Sequence, residues 1–284
     1  MARRRPMFAA LGALLTAACS PVAVLNALAP REGVRTTTGL TYAAGERHGI
    51  DVYAPEGAEG APVVVFLYGG SWESGDRGMY RFLGASLASA GVVCMVPDYR
   101  VWPEVGFPGF VQDAAQALAW ARRNATAHGG AADRVVLMGH SAGAHIATLL
   151  ALDGDYLAAE GLRPADALRG VVGLAGPYDF LPLRSRTLQA IFGPESTWPA
   201  SQPVNHVARG APPMLLATGD TDSTVLPRNT ESLAARLRAD DNPVRTITYP
   251  GIGHREILGA FAPGLRFLAP VRQDVLRFVA ATTA

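Results

Sequence analysis

The sequence predicts an α/β fold in which helices cover both faces of a mainly parallel, eight-stranded sheet. Short apolar runs alternate with longer amphipathic stretches along most of the chain, which is the pattern of strands alternating with helices. The length of 284 residues suits one large domain of this class.

The strands are predicted from apolar runs that have turn-forming residues on either side. The clearest are 63–67 and 92–96, Val-Val-Val-Phe-Leu and Val-Val-Cys-Met-Val, which contain no charged residue. The segments 40–43 and 49–54 are typical of an antiparallel pair that opens the sheet. In chain order, the expected strands are 40–43, 49–54, 63–67, 92–96, 135–138, 171–174, 214–217 and 245–249.

Amphipathic stretches between the strands predict the helices. In the segment 110–127, Ala114, Leu118 and Ala121 recur at helical spacing and mark one face. In chain order, the expected helices are 80–90, 110–127, 142–152, 226–238 and 271–281. The segment 177–207 breaks the alternation and is rich in proline, leucine and aromatic residues. We expect a short cap-like insertion there, over the strand ends at which α/β active sites lie.

The beginning of the chain is typical of a targeting segment. A cluster of arginines precedes an apolar run at 7–18, which is shorter than the roughly 20 residues of a membrane-spanning helix. The residues that follow, Thr-Ala-Ala-Cys, resemble a bacterial lipobox, although Thr16 stands where leucine is usual. We therefore expect a signal peptide at 1–18, lipidation of Cys19 and an exported lipoprotein, either periplasmic or anchored to the outer membrane. A secretory signal cut after Ala18 is the alternative.

The segment 19–38 predicts a tether, because its patterning is weak and Pro30 and Gly33 interrupt any helix. One α/β domain is expected at 39–284. Within it, Cys94 lies in an apolar run and is expected to be a buried, inert thiol. We therefore expect no disulfide, no metal site and no cofactor.

The charge pattern does not indicate a nucleic-acid-binding protein, and the sequence has no pattern of a coiled coil or a repeat protein. The net charge is +1, the two signs are mixed, and no basic block indicates a nucleic-acid surface. The sequence shows no heptad pattern and no internal repeat, and it does not predict an oligomeric state. Membrane contact is expected only through a lipid anchor on Cys19, and the expected partner is a small-molecule substrate.

The most informative motif is Gly139-His140-Ser141-Ala142-Gly143. It fits Gly-x-Ser-x-Gly, follows a predicted strand and precedes a predicted helix, which is the context of a nucleophile elbow. The sharp turn holds the serine in a strained conformation, so the positions two before and two after it must be small. The pattern predicts that Ser141 is a nucleophile.

A serine nucleophile needs an imidazole base, and that base needs a carboxylate. In the order serine, acid, histidine, the best acid is Asp222, which follows the strand 214–217 in a Gly-x-x-Asp-x-x-Val pattern. Asp220 is the alternative. The best base is His254, which follows the last strand among glycines, and His206 is its rival. Of the remaining histidines, His140 cannot reach round to its neighbour's oxygen, and His145 is expected to be packed beside the elbow.

The oxyanion of a tetrahedral intermediate needs hydrogen-bond donors. One is expected to be the backbone N–H of Ala142, at the start of the helix after the nucleophile. The others are expected in the loop Tyr68-Gly69-Gly70-Ser71-Trp72, which follows a buried strand. We assign Gly70 and Ser71, with Gly69 as an additional candidate.

Together, these motifs resemble an α/β-hydrolase serine esterase of the branch that holds hormone-sensitive-lipase-like and kynurenine-formamidase-like carboxylesterases. The sequence Asp98-Tyr99-Arg100 also resembles that branch. The resemblance extends from about Leu40 to the C-terminus. Two departures are that Tyr68 replaces the histidine of the oxyanion motif and that the long N-terminal helical cap of some members is missing.

The resemblance implies a two-step acyl transfer through an acyl-enzyme on Ser141, with no cofactor. Trp72 and Tyr178 are expected to contact the substrate, together with other apolar residues of the insertion. We expect carboxylic esters with short or medium acyl groups. An arylformamidase or amidase is the nearest alternative, and a non-catalytic surface lipoprotein that binds a ligand is the alternative from another class.

Overall fold

The computed structural model describes residues 21–284, and they form one eight-stranded sheet in the order β1-β2-β4-β3-β5-β6-β7-β8. The strands are β1 Val34–Thr41, β2 Gly49–Pro55, β3 Ala61–Leu67, β4 Val93–Pro97, β5 Gly130–His140, β6 Gly170–Leu174, β7 Met214–Gly219 and β8 Val244–Tyr249. β1 pairs antiparallel with β2, and β2 antiparallel with β4. Every other neighbouring pair is parallel, so the mainly parallel α/β sheet is confirmed. The signal peptide expected at 1–18 and Cys19 lie outside the described residues.

Most helices of the described region lie between strands along the chain, as the alternating pattern predicts, whereas the first precedes β1 and the last two follow β8. They are α1 Pro21–Ala27, α2 Arg81–Ala88, α3 Gly109–Asn124, α4 Ala142–Leu152, α5 Gly154–Ala158, α6 Pro164–Ala167, α7 Arg186–Phe192, α8 Arg228–Ala239, α9 Glu256–Gly259 and α10 Val271–Thr282. Short 3-10 turns supplement them at 77–80, 126–128, 195–201, 203–206 and 263–265. In the part of the chain from residue 21 onward, none of the helices has the length and apolarity needed to cross a membrane.

The segment expected to be a tether is more ordered than the sequence indicates. Its described part contains α1, which ends before Pro30, and most of β1, which begins at Val34 rather than at residue 40. β1 is an edge strand whose side chains are mostly exposed, so it carries no apolar run. Its order comes from backbone pairing with β2, a long-range interaction that residue patterns do not report.

The central strands form the core, and their apolar side chains are fully buried. Cys94 of β4 is among them, and burial raises the pKa of its thiol, which therefore stays protonated. A buried thiol without a partner behaves as a small hydrophobic residue. This environment agrees with the inert role expected for Cys94.

The insertion at 177–207 follows β6 and contains α7 with two of the 3-10 turns. Two of its hydrogen bonds show where it sits: the carbonyl oxygen of Ser201 faces Nε2 of His145 on α4 at 2.7 Å, and Tyr178 N–H donates to Asn229 at the start of α8 at 3.1 Å. Because α4 and α8 both start at carboxyl ends of strands, the insertion covers that edge of the sheet.

Candidate active site

Ser141 occupies the sharp turn between β5 and α4. Its backbone has φ 53° and ψ −123°, a conformation that a residue with a side chain rarely adopts. Its N–H donates to the carbonyl oxygen of Leu174 at 2.9 Å, and its own carbonyl accepts from His145 at 3.1 Å. These bonds connect the turn to β6 and to α4. They hold the strained residue, as is common for catalytic nucleophiles.

Two glycines allow this turn to form. A β-carbon on Gly139 would overlap the backbone oxygen of Gly143, and one on Gly143 would overlap the carbonyl oxygen of Leu67 at the end of β3. The obstacles are backbone atoms, which a side-chain rearrangement cannot move away. The small residues that the sequence pattern calls for therefore have a direct steric cause.

We expect Gly139→Ala to lower the free energy of unfolding by about 3 kcal/mol or more, because the added methyl group overpacks a rigid turn. Gly154→Ala is the matched control, since a β-carbon there would meet its nearest neighbour at 3.8 Å, an ordinary contact. Urea unfolding followed by circular dichroism measures both variants. Equal stability of the two would contradict the steric explanation of the elbow.

The three residues expected to form the catalytic group lie in one hydrogen-bonded chain. Ser141 Oγ–H donates to His254 Nε2 at 2.9 Å, and His254 Nδ1–H donates to Asp222 Oδ2 at 2.8 Å. A carboxylate accepts only, so this contact sets the proton on Nδ1 and leaves Nε2 free to accept from the serine. The other oxygen of Asp222 accepts from the N–H groups of Thr224 and Val225 at 2.9 and 2.8 Å. The buried carboxylate is thus fixed in orientation.

The loops that carry the acid and the base are tied together. Thr221 N–H donates to the carbonyl of Ile252 at 3.2 Å, and Asp220 accepts from Gly251 N–H at 2.7 Å. The alternative acid, Asp220, is exposed. Its hydrogen bond stabilises the turn before His254, and it does not contact the imidazole.

The rival base also has other partners. His206 lies with Nε2 2.8 Å from the carbonyl oxygen of Ala200 and Nδ1 3.4 Å from Asp153. It therefore stabilises the insertion instead of approaching Ser141.

The loop after β3 passes beside the nucleophile. A β-carbon on Gly69 would stand 2.9 Å from Cβ of Ser141, which shows how closely the backbone approaches. The following residues have positive φ: Gly70 at 139°, Ser71 at 55° and Trp72 at 60°. For Ser71 and Trp72 this conformation is strained and costs on the order of 1–3 kcal/mol each.

That strained backbone frees the expected oxyanion donors. The carbonyl of Gly70 accepts from Glu73 and Ser74 at 2.9 and 3.0 Å, and the N–H of Ser71, in the same trans peptide, points the opposite way. Neither Gly70 N–H nor Ser71 N–H donates to any residue in the described range. Ala142 N–H is in the first turn of α4, where intrahelical acceptors are missing. All three donors remain available to a ligand.

Two buried histidines flank the elbow, and both are neutral near pH 7. His140 Nε2–H donates to the carbonyl of His254 at 2.9 Å, and burial, with a smaller contribution from the nearby His254, lowers the pKa of His140 to about 4. His145 Nε2–H donates to Ser201, and its Nδ1 accepts from the indole N–H of Trp72 at 3.3 Å. Burial also lowers the pKa of His145 to about 4. His145 therefore connects the oxyanion loop, α4 and the insertion.

The lowered pKa values predict acid sensitivity. Between the ordinary pKa of 6.5 and about 4, the unfolded chain binds protons that the folded protein excludes, so the free energy of unfolding falls as the pH decreases. Each of these histidines contributes up to about 3 kcal/mol to this loss.

We expect His145→Gln to lose about 2 kcal/mol less stability than the wild type between pH 7 and pH 5, as measured by urea unfolding. The comparison concerns the slope with pH, so a constant loss from the missing hydrogen bonds cancels. Parallel stability curves for the two proteins would contradict the buried, neutral state of His145.

The two residues expected to contact substrate differ in their surroundings. Trp72 follows the oxyanion donors and packs against Phe180 and Phe192 with ring centroids 5.8 and 4.9 Å away. Tyr178 has no exposed surface, and its ring lies against Gly173 and Gly176. In this structure Tyr178 is a core residue just after β6, because Gly173 of β6 and Gly176 in the following loop leave space that its ring fills.

A network of polar side chains forms hydrogen bonds with the oxyanion loop. Tyr68 O–H donates to Asp98 at 2.9 Å, and Asp98 also pairs with Arg77, which reaches Asp51 of β2 at 3.0 Å. Tyr99 O–H donates to the carbonyl of Tyr68 at 2.5 Å. In the sequence, only the Asp98-Tyr99-Arg100 motif indicated this network. Tyr68, which replaces the histidine of the family's oxyanion motif, is part of it.

Several known proteins with similar sequences or structures are esterases by name. A family model described as BD-FAE matches residues 50–237. Esterase LipC of Mycobacterium tuberculosis is 32% identical over 212 residues, which cover 68% of this chain and 53% of the relative. A probable isoprenylcysteine alpha-carbonyl methylesterase of Arabidopsis thaliana, ICMEL2, is 28% identical over 239 residues, covering 77% of this chain and 57% of the relative. The chain thus spans about half the length of these curated relatives.

A solved structure shows the same fold. Esterase B from Lactobacillus rhamnosis, in a structure with a tributyrin phosphonate, superposes with a TM-score of 0.79 at 22% identity, covering 92% of this chain and 90% of that one. This likeness confirms the α/β-hydrolase fold. The family model covers well over half of the chain, including the oxyanion loop, Ser141 and Asp222. The chain belongs to the BD-FAE family.

Proposed function

We propose that this protein is a serine hydrolase that cleaves carboxylic esters through Ser141, His254 and Asp222. The observation that carries the proposal is the hydrogen-bonded chain from Ser141 Oγ through the imidazole to the buried carboxylate. The esterase names of the relatives support the same reaction class.

In the first step, His254 Nε2 removes the proton of Ser141 as Oγ attacks the ester carbonyl. Asp222 stabilises the resulting imidazolium through the bond to Nδ1–H. The backbone N–H groups of Ala142, Gly70 and Ser71 receive the negative charge of the oxyanion. They need no side-chain reorganisation, because the strained loop and the start of α4 already hold the backbone in place.

In the second half of the reaction, His254 protonates the leaving alcohol, which departs and leaves an acyl group on Ser141. Water then attacks the acyl-enzyme while His254 accepts its proton, and the bond to Oγ breaks as the imidazolium returns that proton to Ser141 and the carboxylic acid leaves. The chain's own residues are sufficient for every proton transfer in this sequence.

The expected substrates are esters with short or medium acyl groups. Trp72, Phe180 and Phe192 pack on one another beside the nucleophile, with the last two rings 5.6 Å apart, and they occupy the space between the oxyanion loop and the insertion. Rings that already contact one another leave little apolar volume for a long acyl chain.

The test is a panel of p-nitrophenyl esters from acetate to palmitate, with N-formylkynurenine beside it and the Ser141→Ala protein as control. We expect kcat/KM to be greatest for acetate to hexanoate and to fall for longer chains. Preference for N-formylkynurenine would favour an arylformamidase instead. A folded protein that is inactive on the whole panel would favour a ligand-binding lipoprotein.

We also propose that the protein is exported and lipidated on Cys19. The support is the order of arginines, apolar run and Thr-Ala-Ala-Cys in the sequence. Mass spectrometry of the mature N-terminus from a bacterial host tests this proposal: a diacylglyceryl cysteine at position 19 is expected, whereas an unmodified Cys19 would indicate a plain secretory signal.

A further inference from the structure

Large apolar side chains are exposed at few places in the described residues, and most of those places adjoin one another. The exposed set is Val24, Leu28, Met79, Leu226 and Phe267. All but Leu226 lie on three segments, 21–28, 76–80 and 263–268. Single exposed apolar residues are ordinary in soluble proteins, but their concentration on adjoining segments is not.

The contacts between these segments show that they form one surface. Asn26 Nδ2 donates to the carbonyl of Gly78 at 2.8 Å, and Asn26 Oδ1 accepts from Phe82 N–H at 3.0 Å. Leu28 lies against the third segment, with Cδ1 3.7 Å from the position of a β-carbon on Gly264. Phe267, which is 80% exposed, follows in that segment. We call the surface of Val24, Leu28, Met79 and Phe267 the docking face.

Positive charge adjoins the docking face without counter-charge. Arg266 and Arg272 both donate to Ser86 Oγ, at 3.1 and 2.9 Å, and neither forms an ion pair with a carboxylate in the described part of the chain. Nε of Arg266 is buried and has no acceptor there. On the three segments the single acidic residue is Asp76, which accepts from Gly78 N–H at 2.6 Å and caps the turn. Two adjacent guanidinium groups that lack anions suit a phosphate group.

The chain enters the docking face directly from its N-terminal segment. Cys19 is two residues before the start of α1, so its Cα lies within about 7 Å of that of Pro21. Any lipid on Cys19 is therefore joined to the chain within two residues of α1. A lipid on Cys19 would bring a membrane surface close to α1, which carries Val24 and Leu28 of the docking face.

We propose that the docking face rests on the surface of a lipid bilayer that contains anionic phospholipid. Leu28 and Phe267 lie in the interfacial region, and the guanidinium groups of Arg266 and Arg272 lie beside lipid phosphates, as in proteins that bind membranes peripherally. The 76–80 segment belongs to the carboxyl edge of the sheet, since Arg77 in it pairs with Asp98 just after β4.

The test measures the environment of single positions in the full chain carrying Cys19→Ser. Cys94 is buried and stays unlabelled, so a cysteine introduced as Phe267→Cys takes an NBD fluorophore alone. Leu226→Cys gives the matched control, because Leu226 is 48% exposed and lies outside the three segments. With vesicles of phosphatidylcholine and phosphatidylglycerol, the probe at 267 is expected to move to shorter wavelength and gain intensity, while the probe at 226 stays unchanged.

Each other outcome overturns the proposal. A probe at 267 that stays in water, or a protein that does not bind these vesicles, excludes docking through this face. A probe that is already shifted without vesicles identifies a different occupant: a second copy if the shift depends on protein concentration, and residues 1–20 of the same chain if it does not.

A second measurement separates docking from catalysis. Leu28→Ser and Phe267→Ser are expected to lower the vesicle-bound fraction several-fold relative to Leu226→Ser, and Leu28 and Leu226 are matched at 51% and 48% exposure. Removing phosphatidylglycerol is expected to weaken binding of the wild type. Hydrolysis of a soluble aryl ester stays unchanged in all three variants, so failure of the docking proposal and failure of the proposed function give different results. Equal vesicle binding by the three variants contradicts the proposal.

Discussion

Replacing Ser141 with alanine is expected to lower kcat for aryl esters by about five to six orders of magnitude, with little change in KM. The substitution removes the hydroxyl group that gives its proton to His254 Nε2 and attacks the carbonyl, so no acyl-enzyme can form. The residual rate comes from the oxyanion donors and substrate binding alone. Initial rates with p-nitrophenyl butyrate, corrected for the uncatalysed reaction, measure the effect.

Ser223→Ala is the control for this variant, because Ser223 is an exposed serine in the loop of Asp222 and makes no contact with the imidazole. We expect it to keep wild-type activity. Thermal unfolding of both variants near the wild-type temperature would show that the loss is chemical. Ester hydrolysis at the wild-type rate by Ser141→Ala would disprove Ser141 as nucleophile.

The second large effect is expected for Asp222→Asn, which should lower kcat by about four orders of magnitude near neutral pH. An amide oxygen can replace Oδ1 as the acceptor for Thr224 and Val225, which places the NH₂ group toward His254 Nδ1. That NH₂ group donates, so Nδ1 must accept and the proton moves to Nε2. The imidazole then cannot act as a base toward Ser141.

Asp220→Asn is the matched control, because it makes the same chemical change two residues away on the same loop. Asp220 accepts from Gly251 N–H, and an amide oxygen can still do so. We expect less than a tenfold change in kcat. A larger loss in Asp220→Asn than in Asp222→Asn, with both proteins folded, would reverse the assignment of the acid.

The sequence was sufficient to predict the elbow and its partners because their signals are local. Backbone atoms of the turn and of the end of β3 leave no room for a β-carbon at Gly139 and Gly143. The requirement for small residues is therefore recognisable in the sequence before the fold is known. Asp222 follows an apolar strand and His254 follows the last strand, and parallel strands bring their carboxyl ends to one edge. Chain order then limits the choice to a few residues.

Other features depend on contacts between distant residues and could not be predicted. β1 has mostly exposed side chains and owes its order to pairing with β2. Tyr178 resembles a pocket residue in sequence, but glycines at 173 and 176 open a buried space for its ring. The link from Trp72 to His145 joins residues far apart in the chain. Spacing along a single sequence carries no record of such contacts.

The most direct test of the central claim, that Ser141 is an activated nucleophile, is reaction with a fluorophosphonate followed by peptide mass spectrometry. We expect one phosphonyl adduct per chain, located on Ser141, no adduct in Ser141→Ala and much slower labelling in His254→Ala. A folded protein that stays unlabelled, or an adduct on another residue, would contradict it.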